Sequence, residues 1–142
     1  MSETEGRNLA GANMPSANLR GEILNGADLS NAILVQADML NCDLSGANLK
    51  DAILNGADLT DADLSGASLA GADLTRARLR GANFSGADLT GAILARTDLQ
   101  GANFRGAKID VKNFDISGAR AWQQASWDEP VLKALKAKFG SK

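Results

Sequence analysis

Gly56-Ala57-Asp58-Leu59-Thr60-Asp61-Ala62-Asp63-Leu64 holds the unit from which most of this chain is built, Ala-Asp/Asn-Leu-x-Gly. Every fifth residue from Leu9 to Phe114 gives 22 centres, of which sixteen are Leu; the others are Met14, Met39, Phe84, Phe104, Ile109 and Phe114. Two positions before the centre, 17 of the 22 residues are Ala, and two positions after it 12 are Gly. A five-residue repeat fits no straight element. In an α-helix, five residues overshoot a full turn by about 140°, so the Leu series would wander around the cylinder. In a flat strand, Ala and Leu of one unit share a face, but the three-residue step to the next Ala changes it. Both side chains stay inside only if the backbone turns once per unit, and Gly and Asn at the corners suit that turn.

Four corners of roughly 90° close a square coil, and a second periodicity of 20 agrees with this. Ile33, Ile53 and Ile93 differ by multiples of 20, as do Phe84 and Phe104. The expected fold is therefore all-β, a quadrilateral β-helix of about 5.5 coils at ~4.8 Å per coil. Leu29, Leu49, Leu59, Leu69, Phe84 and Phe104 should form its core. The repeat spans 8–115, preceded by a cap or tail at 1–7 and followed by a degenerate repeat and capping helix at 116–142.

These repeats resemble the pentapeptide-repeat family, over Asn8 to about Asp115. The resemblance implies that the quadrilateral β-helix is right-handed. Arg7, Glu22, Cys42, Thr97 and Lys112 depart from the inward Ala. An inward Glu22 carboxylate without a partner is costly, so a local distortion is expected in the first coils. Beyond Phe114 the spacing breaks. Ser126 with Glu129 resembles a capping box, Asp128 is a rival N-cap, and Val131, Leu132, Leu135 and Phe139 share one face of a short helix stopped by Gly140. With Trp122 and Trp127 this helix should cover the last coil, unless it serves dimerisation; a monomer or a C-terminally joined homodimer is expected.

The chain has no His, the commonest general base and metal ligand. Cys42 replaces a buried Ala and reads as a small apolar residue. Glycines follow the repeat rather than a phosphate loop. No enzyme activity, metal or cofactor is expected. The formal net charge of −2 predicts no direct nucleic-acid binding. An acidic, polar N-terminus and no long apolar stretch point to a cytoplasmic chain without membrane insertion.

Function is then expected on the outer surface, as a rigid scaffold for an unidentified protein partner. One candidate patch is apolar: Ile33, Val35, Leu40 and Ile53, continued by Ile93 beyond Asp73. A second is basic: Arg76, Arg78, Arg80 and Arg96. Charge is uneven, with nine acidic and two basic residues over 8–75 against six basic and two acidic over 76–108. Some pentapeptide-repeat proteins resemble duplex DNA and bind type II topoisomerases, giving quinolone resistance; the resemblance makes a DNA mimic the alternative. Here Arg78 interrupts the acidic column of Asp38, Asp58 and Asp98.

Overall fold

The computed structural model describes residues 6–140. The chain winds into a square coil, and successive coils are joined by twenty isolated parallel β-bridges. Each bridge residue is the one just before a centre. Through Asp88↔Lys108 the partner lies 20 residues on. Corners interrupt the extended backbone after each bridge, so no continuous strand forms among the described residues. The coils thus pair through isolated bridges between corners, which do not directly show the expected all-β fold, and the continuous elements among the described residues are helical.

Every corner from Gly6 to Gly106 places its second post-centre residue at a φ between 57° and 73°. The N–H of the next residue closes the turn on the centre's carbonyl, as in Ala62 N–H to Leu59 O at 3.0 Å. A positive φ only at the third turn residue is the type II geometry, which favours Gly there and Pro one place earlier. Pro15 occupies that earlier place at the Met14 corner. The abundant Asp and Asn bond to the turns. Asp28 Oδ1, for example, accepts from the Ser30 N–H at 3.0 Å and the Ser30 hydroxyl at 2.7 Å. The same pairing recurs at Asp58 with Thr60 and Asp88 with Thr90. This explains why the residue after the centre is so often Ser or Thr: its hydroxyl adds a second bond to a carboxylate already occupied by its N–H.

Between the coils, centre N–H groups donate to bridge carbonyls of the next coil, as Leu59 N–H does to Arg78 O at 2.8 Å. Inward Ala and Leu fill a narrow, dry core. Leu29, Leu49, Leu59, Leu69 and Phe84 have no exposed surface and Phe104 has 1%. Identical slots one coil apart force aromatic rings face to face: Phe84 and Phe104 stack at 4.8 Å, and Phe104 and Trp127 at 4.2 Å. Buried Thr97 is satisfied by donating its hydroxyl to Leu94 O at 2.7 Å.

Two expectations about the ends are corrected. No distortion surrounds Glu22: its N–H closes the Leu19 turn at 3.0 Å and its carbonyl accepts from Asp43 at 2.9 Å. No described coil covers its outer side, so Glu22 is only half-buried, like Leu9, Met14 and Leu19. Gly6 and Arg7 already bond into the coils, through Asn25 O and the Asp28 N–H; the rest of the proposed N-terminal cap lies outside the described residues. At the other end the spacing breaks after Ile109, not after Phe114. A one-turn 3-10 helix at Val111–Asn113 adds two residues, and bridging resumes as Ile93↔Asp115 and Asp98↔Arg120. Phe114 therefore fills a small-residue slot, and Ile116 becomes the centre. A second 3-10 turn, Trp122–Gln124, adds one more residue before Asn103↔Ser126. The coil count is six rather than five and a half, and Trp127 is its last centre.

Helix α1, Glu129–Phe139, packs over this sixth coil with Leu135 buried. Asp128, not Ser126, is the N-cap residue. Its carboxylate accepts from the Gly106 N–H at 3.0 Å, tying the helix start to the preceding coil. Trp127 Nε1 donates to Trp122 O at 2.9 Å, and Lys138 Nζ reaches Val111 O at 2.7 Å.

Candidate interaction surface

The bridges sort the outward residues into four sides. The first side carries Asn8, Asp28, Asn48, Ser68, Asp88 and Lys108; the second carries Asn13, Ile33, Ile53, Asp73, Ile93 and Asp115. The third carries Asn18, Asp38, Asp58, Arg78, Asp98 and Arg120; the fourth carries Ile23, Asp43, Asp63, Asn83, Asn103 and Ser126. Ile33 and Ile53 are direct neighbours, while Asp73 separates them from Ile93. Ile53 is 40% exposed; Ile33, Val35 and Ile93 are half-buried.

Leu40 does not join this patch. It stands at the corner between the third and fourth sides, where its carbonyl accepts from the Gly21 N–H at 2.9 Å. A centre-plus-one residue belongs to the corner that follows its own side, which separates Leu40 from Ile33 by one whole side. Ile23 is missing from the sequence-based patch, yet at 57% it is the more exposed of the two exposed large apolar residues. It holds the same slot as Ile33, but on the fourth side, so no 20-residue spacing links it to the other isoleucines.

Val35, at the corner between the second and third sides, is brought to the arginines. A shallow cavity of about 280 Å³ is lined by Val35, Gln36, Asn55, Gly56, Thr75, Arg76 and Arg78. Gly56 forms its notch: an added Cβ there would come within 2.7 Å of Gln36 Nε2, so the Gln36 side chain lies over a glycine that leaves it room. The cavity therefore joins the two candidate patches along one edge of the rod.

Basic residues gather on the third side and its corners in the last three coils. Arg76, Arg78, Arg80 and Arg96 are all exposed, and bridging adds Arg120 to them. Sequence spacing hid Arg120 because three residues are inserted before the last coil is complete, two of them ahead of it. Asp98 is the carboxylate among these arginines, with Arg120 Nη2 at 3.4 Å and Arg80 Nη1 at 3.8 Å. Nearer the start of the same side, Arg20 pairs with Asp38 at 3.0 Å. The Arg20 contact and the Leu40 N–H hold the Asp38 carboxyl below its ordinary value.

Reactive groups are few. Cys42 is buried, and burial, followed by the nearby Glu22 and Asp43 charges, pushes its thiol up to about 12. A thiol in that state is a poor nucleophile. Among the described residues no three His, Cys, Asp or Glu side chains are placed to hold a metal ion, and no helix is long and apolar enough to cross a membrane.

Comparison with known proteins places the architecture. The family model described as pentapeptide repeats matches in eight copies, over overlapping spans within residues 8–110. The chain belongs to the pentapeptide-repeat family. Its fold is that family's quadrilateral β-helix with a C-terminal helix added. Rfr23, a pentapeptide repeat protein from the cyanobacterium Cyanothece 51142, is 29% identical with a TM-score of 0.58, covering 89% of this chain and 93% of its own. A pentapeptide repeat protein from the Arabidopsis thaliana thylakoid lumen is 36% identical with a TM-score of 0.51, over 77% of this chain and 66% of its own. QnrB1, a plasmid-mediated fluoroquinolone resistance protein, aligns over 98% of this chain and 91% of its own, at 18% identity and a TM-score of 0.35. No curated protein sequence matches.

Proposed function

We propose that this pentapeptide-repeat protein is a non-enzymatic interaction module that binds a protein partner along the edge between its second and third sides. The observation that carries this reading is the cavity shared by Val35, Arg76 and Arg78, where one residue of the apolar patch meets the basic cluster. Protein interfaces favour such a combination of apolar contact and arginine. The coils supply rigidity, because the backbone of each outward residue is held at a bridge or a turn bonded to its neighbours. The absence of His, together with a buried and protonated Cys42, supports a role without catalysis. The protein acts as a monomer in this reading, since α1 covers the last coil of its own chain.

A DNA mimic finds no comparable support. It needs regular negative charge along one side, whereas the third side alternates to Arg78 and ends on Arg120. The QnrB1 likeness is too weak to carry an argument.

The test is affinity capture from the native host with wild-type protein, Ile53→Asp and Arg76→Gly, read by mass spectrometry. A partner retained by wild type should be lost from both variants, each of which should keep its circular dichroism. Undiminished recovery by both would refute the edge as the binding site.

A further inference from the structure

The corner between the second and third sides breaks the rule that every other corner obeys. From residue 6 to residue 106, eight left-handed corner positions are not Gly: Ser16, Asn31, Gln36, Asn41, Asp51, Asp61, Arg76 and Arg96. Asn, Asp and Ser are ordinary turn residues, and Asn and Asp tolerate this region well. Gln36, Arg76 and Arg96 have no such preference, and all three fall in one corner column, with Gly56 between the first two. Arg76 and Arg96 hold φ of 64° and 58°. Glycine would satisfy the turn at less strain, and the two like charges sit one coil apart, about 4.8 Å at the backbone. Strain of this kind is retained where it serves a site. Arg76, Arg78 and Arg96 form no ion pair among the described residues. The Arg96 stem lies beside Gly118, where an added Cβ would approach it to 3.2 Å.

We propose that these arginines bind an extended acidic segment of a partner protein, with carboxylates at every second residue. This rests on the interaction-module reading above and names the chemistry of the partner. Arg78 stands at the bridge between inward Ala77 and Leu79, and Arg76 and Arg80 occupy the corners at the two ends of this short extended side, so neighbouring arginines are about 6.6 Å apart at Cα. Carboxylates on one face of an extended peptide repeat at the same interval. Guanidinium forks pair with carboxylates through two parallel hydrogen bonds. Asp98 shows that a carboxylate is accepted among these arginines, with single contacts from Arg120 at 3.4 Å and Arg80 at 3.8 Å. A nucleic-acid strand fits less well. Phe84, Phe104, Phe114, Trp122 and Trp127 are all buried, leaving none of them to stack on a base. The basic run is also short: Asp58 and Asp38 follow on the same side and would repel a longer polyanion.

The experiment is fluorescence anisotropy on the whole purified chain with a labelled peptide of alternating Asp and Ser. An alternating Asn and Ser peptide and an oligothymidylate of matching length serve as comparisons. The acidic peptide should bind best. Arg76→Gly with Arg96→Gly should weaken it by about tenfold or more, the scale of one lost charge-assisted hydrogen bond. The same double variant should melt at the same temperature or higher, because glycine suits both corners. Asp98→Asn, which releases Arg80 and Arg120, should tighten binding. Equal affinity for the Asn peptide, indifference to the arginine changes, or tighter binding of the oligothymidylate would each overturn the proposal. A chain that ignores the acidic peptide but still loses its captured partner on Ile53→Asp would sink this inference alone. Peptide binding combined with capture indifferent to Ile53→Asp and Arg76→Gly would instead remove the edge as the partner site.

Discussion

Glycine at the corners does two separable jobs, and a pair of substitutions should tell them apart. Gly86 lies at φ +68° with open space around a would-be Cβ, its nearest contact being Gly66 N at 4.0 Å. A left-handed conformation costs a residue with a Cβ roughly 1–2 kcal/mol, and the stiffer unfolded chain returns about 0.4–1 kcal/mol. Gly86→Ala should therefore destabilise by about 1 kcal/mol. Gly71 has nearly the same φ, +70°, but the Asp51 carboxylate of the preceding coil occupies the space of its missing side chain. Gly71→Ala must also turn that carboxylate aside, adding about 0.5–1.5 kcal/mol for a displaced rotamer. The total is about 2 kcal/mol. Asp51→Gly in the Gly71→Ala background should bring the cost of the alanine back to the Gly86 level, a coupling of about 1 kcal/mol in a double-mutant cycle. Urea denaturation reads this as midpoint shifts at constant slope. Equal losses for Gly71→Ala and Gly86→Ala, or no coupling with Asp51, would refute the idea that corner glycines are chosen by the coil beneath as well as by φ.

Leu59→Ala should cost about 2–5 kcal/mol, because bonded coils on both sides prevent the cavity from closing. Leu19→Ala, in the half-buried first coil, should cost clearly less, and similar denaturation midpoints would contradict the core assignment. Acid should also weaken the fold through its turn aspartates. The Ser30 hydroxyl and N–H hold Asp28 below the ordinary carboxyl value of 3.8, and Thr90 does the same for Asp88. The charged form is thus the one favoured by folding. This stability is complete above pH 3.8 and is lost as pH falls through the lower folded values. Asn still accepts the same N–H without titrating, as Asn83 does for Ser85. Asp28→Asn with Asp88→Asn should therefore melt with a shallower dependence on pH below about 4 in a thermal series; an unchanged slope would show that these turns do not contribute to it.

The repeat made the coil, its period and its inward residues legible, because one side chain in five must meet the axis or the turn cannot close. Legibility ended where the spacing changed. Nothing in Lys112-Asn113-Phe114 distinguishes an outward bulge from another repeat, and Phe114 mimics a centre while filling the slot of an Ala. Without that insertion Arg120 falls on no definite side, so the basic cluster was read one arginine short. Leu40 was misplaced for a different reason: adjacency in a square coil is decided by corners, and two residues five apart stand a full side apart. Glu22 misled because an inward slot was equated with full burial, whereas in the first coil it is only half-buried.

A fold this repetitive makes its exceptions informative. Ala, Leu and Gly already answer the demands of the core and the turns, so an outward residue that worsens a turn answers some other demand. Asp in the bridge slot needs no such explanation, since Asp58 satisfies its own turn through Thr60. Ile33 and Ile53 give up that bond: a side chain without oxygen cannot accept from the Val35 or Asn55 N–H. Arg76 and Arg96 give up an unstrained corner. These losses are independent in origin, one a missing hydrogen bond and the other a strained φ. Yet they lie on adjoining parts of one edge, where Arg76 lines the cavity floored by Gly56 together with Val35, the corner residue two places after Ile33. Ile23 gives up the same bond on the fourth side, but only on the second side do two such residues stack directly, Ile33 on Ile53. The adjacency of this stacked pair to the strained arginines is the reason to seek the partner there.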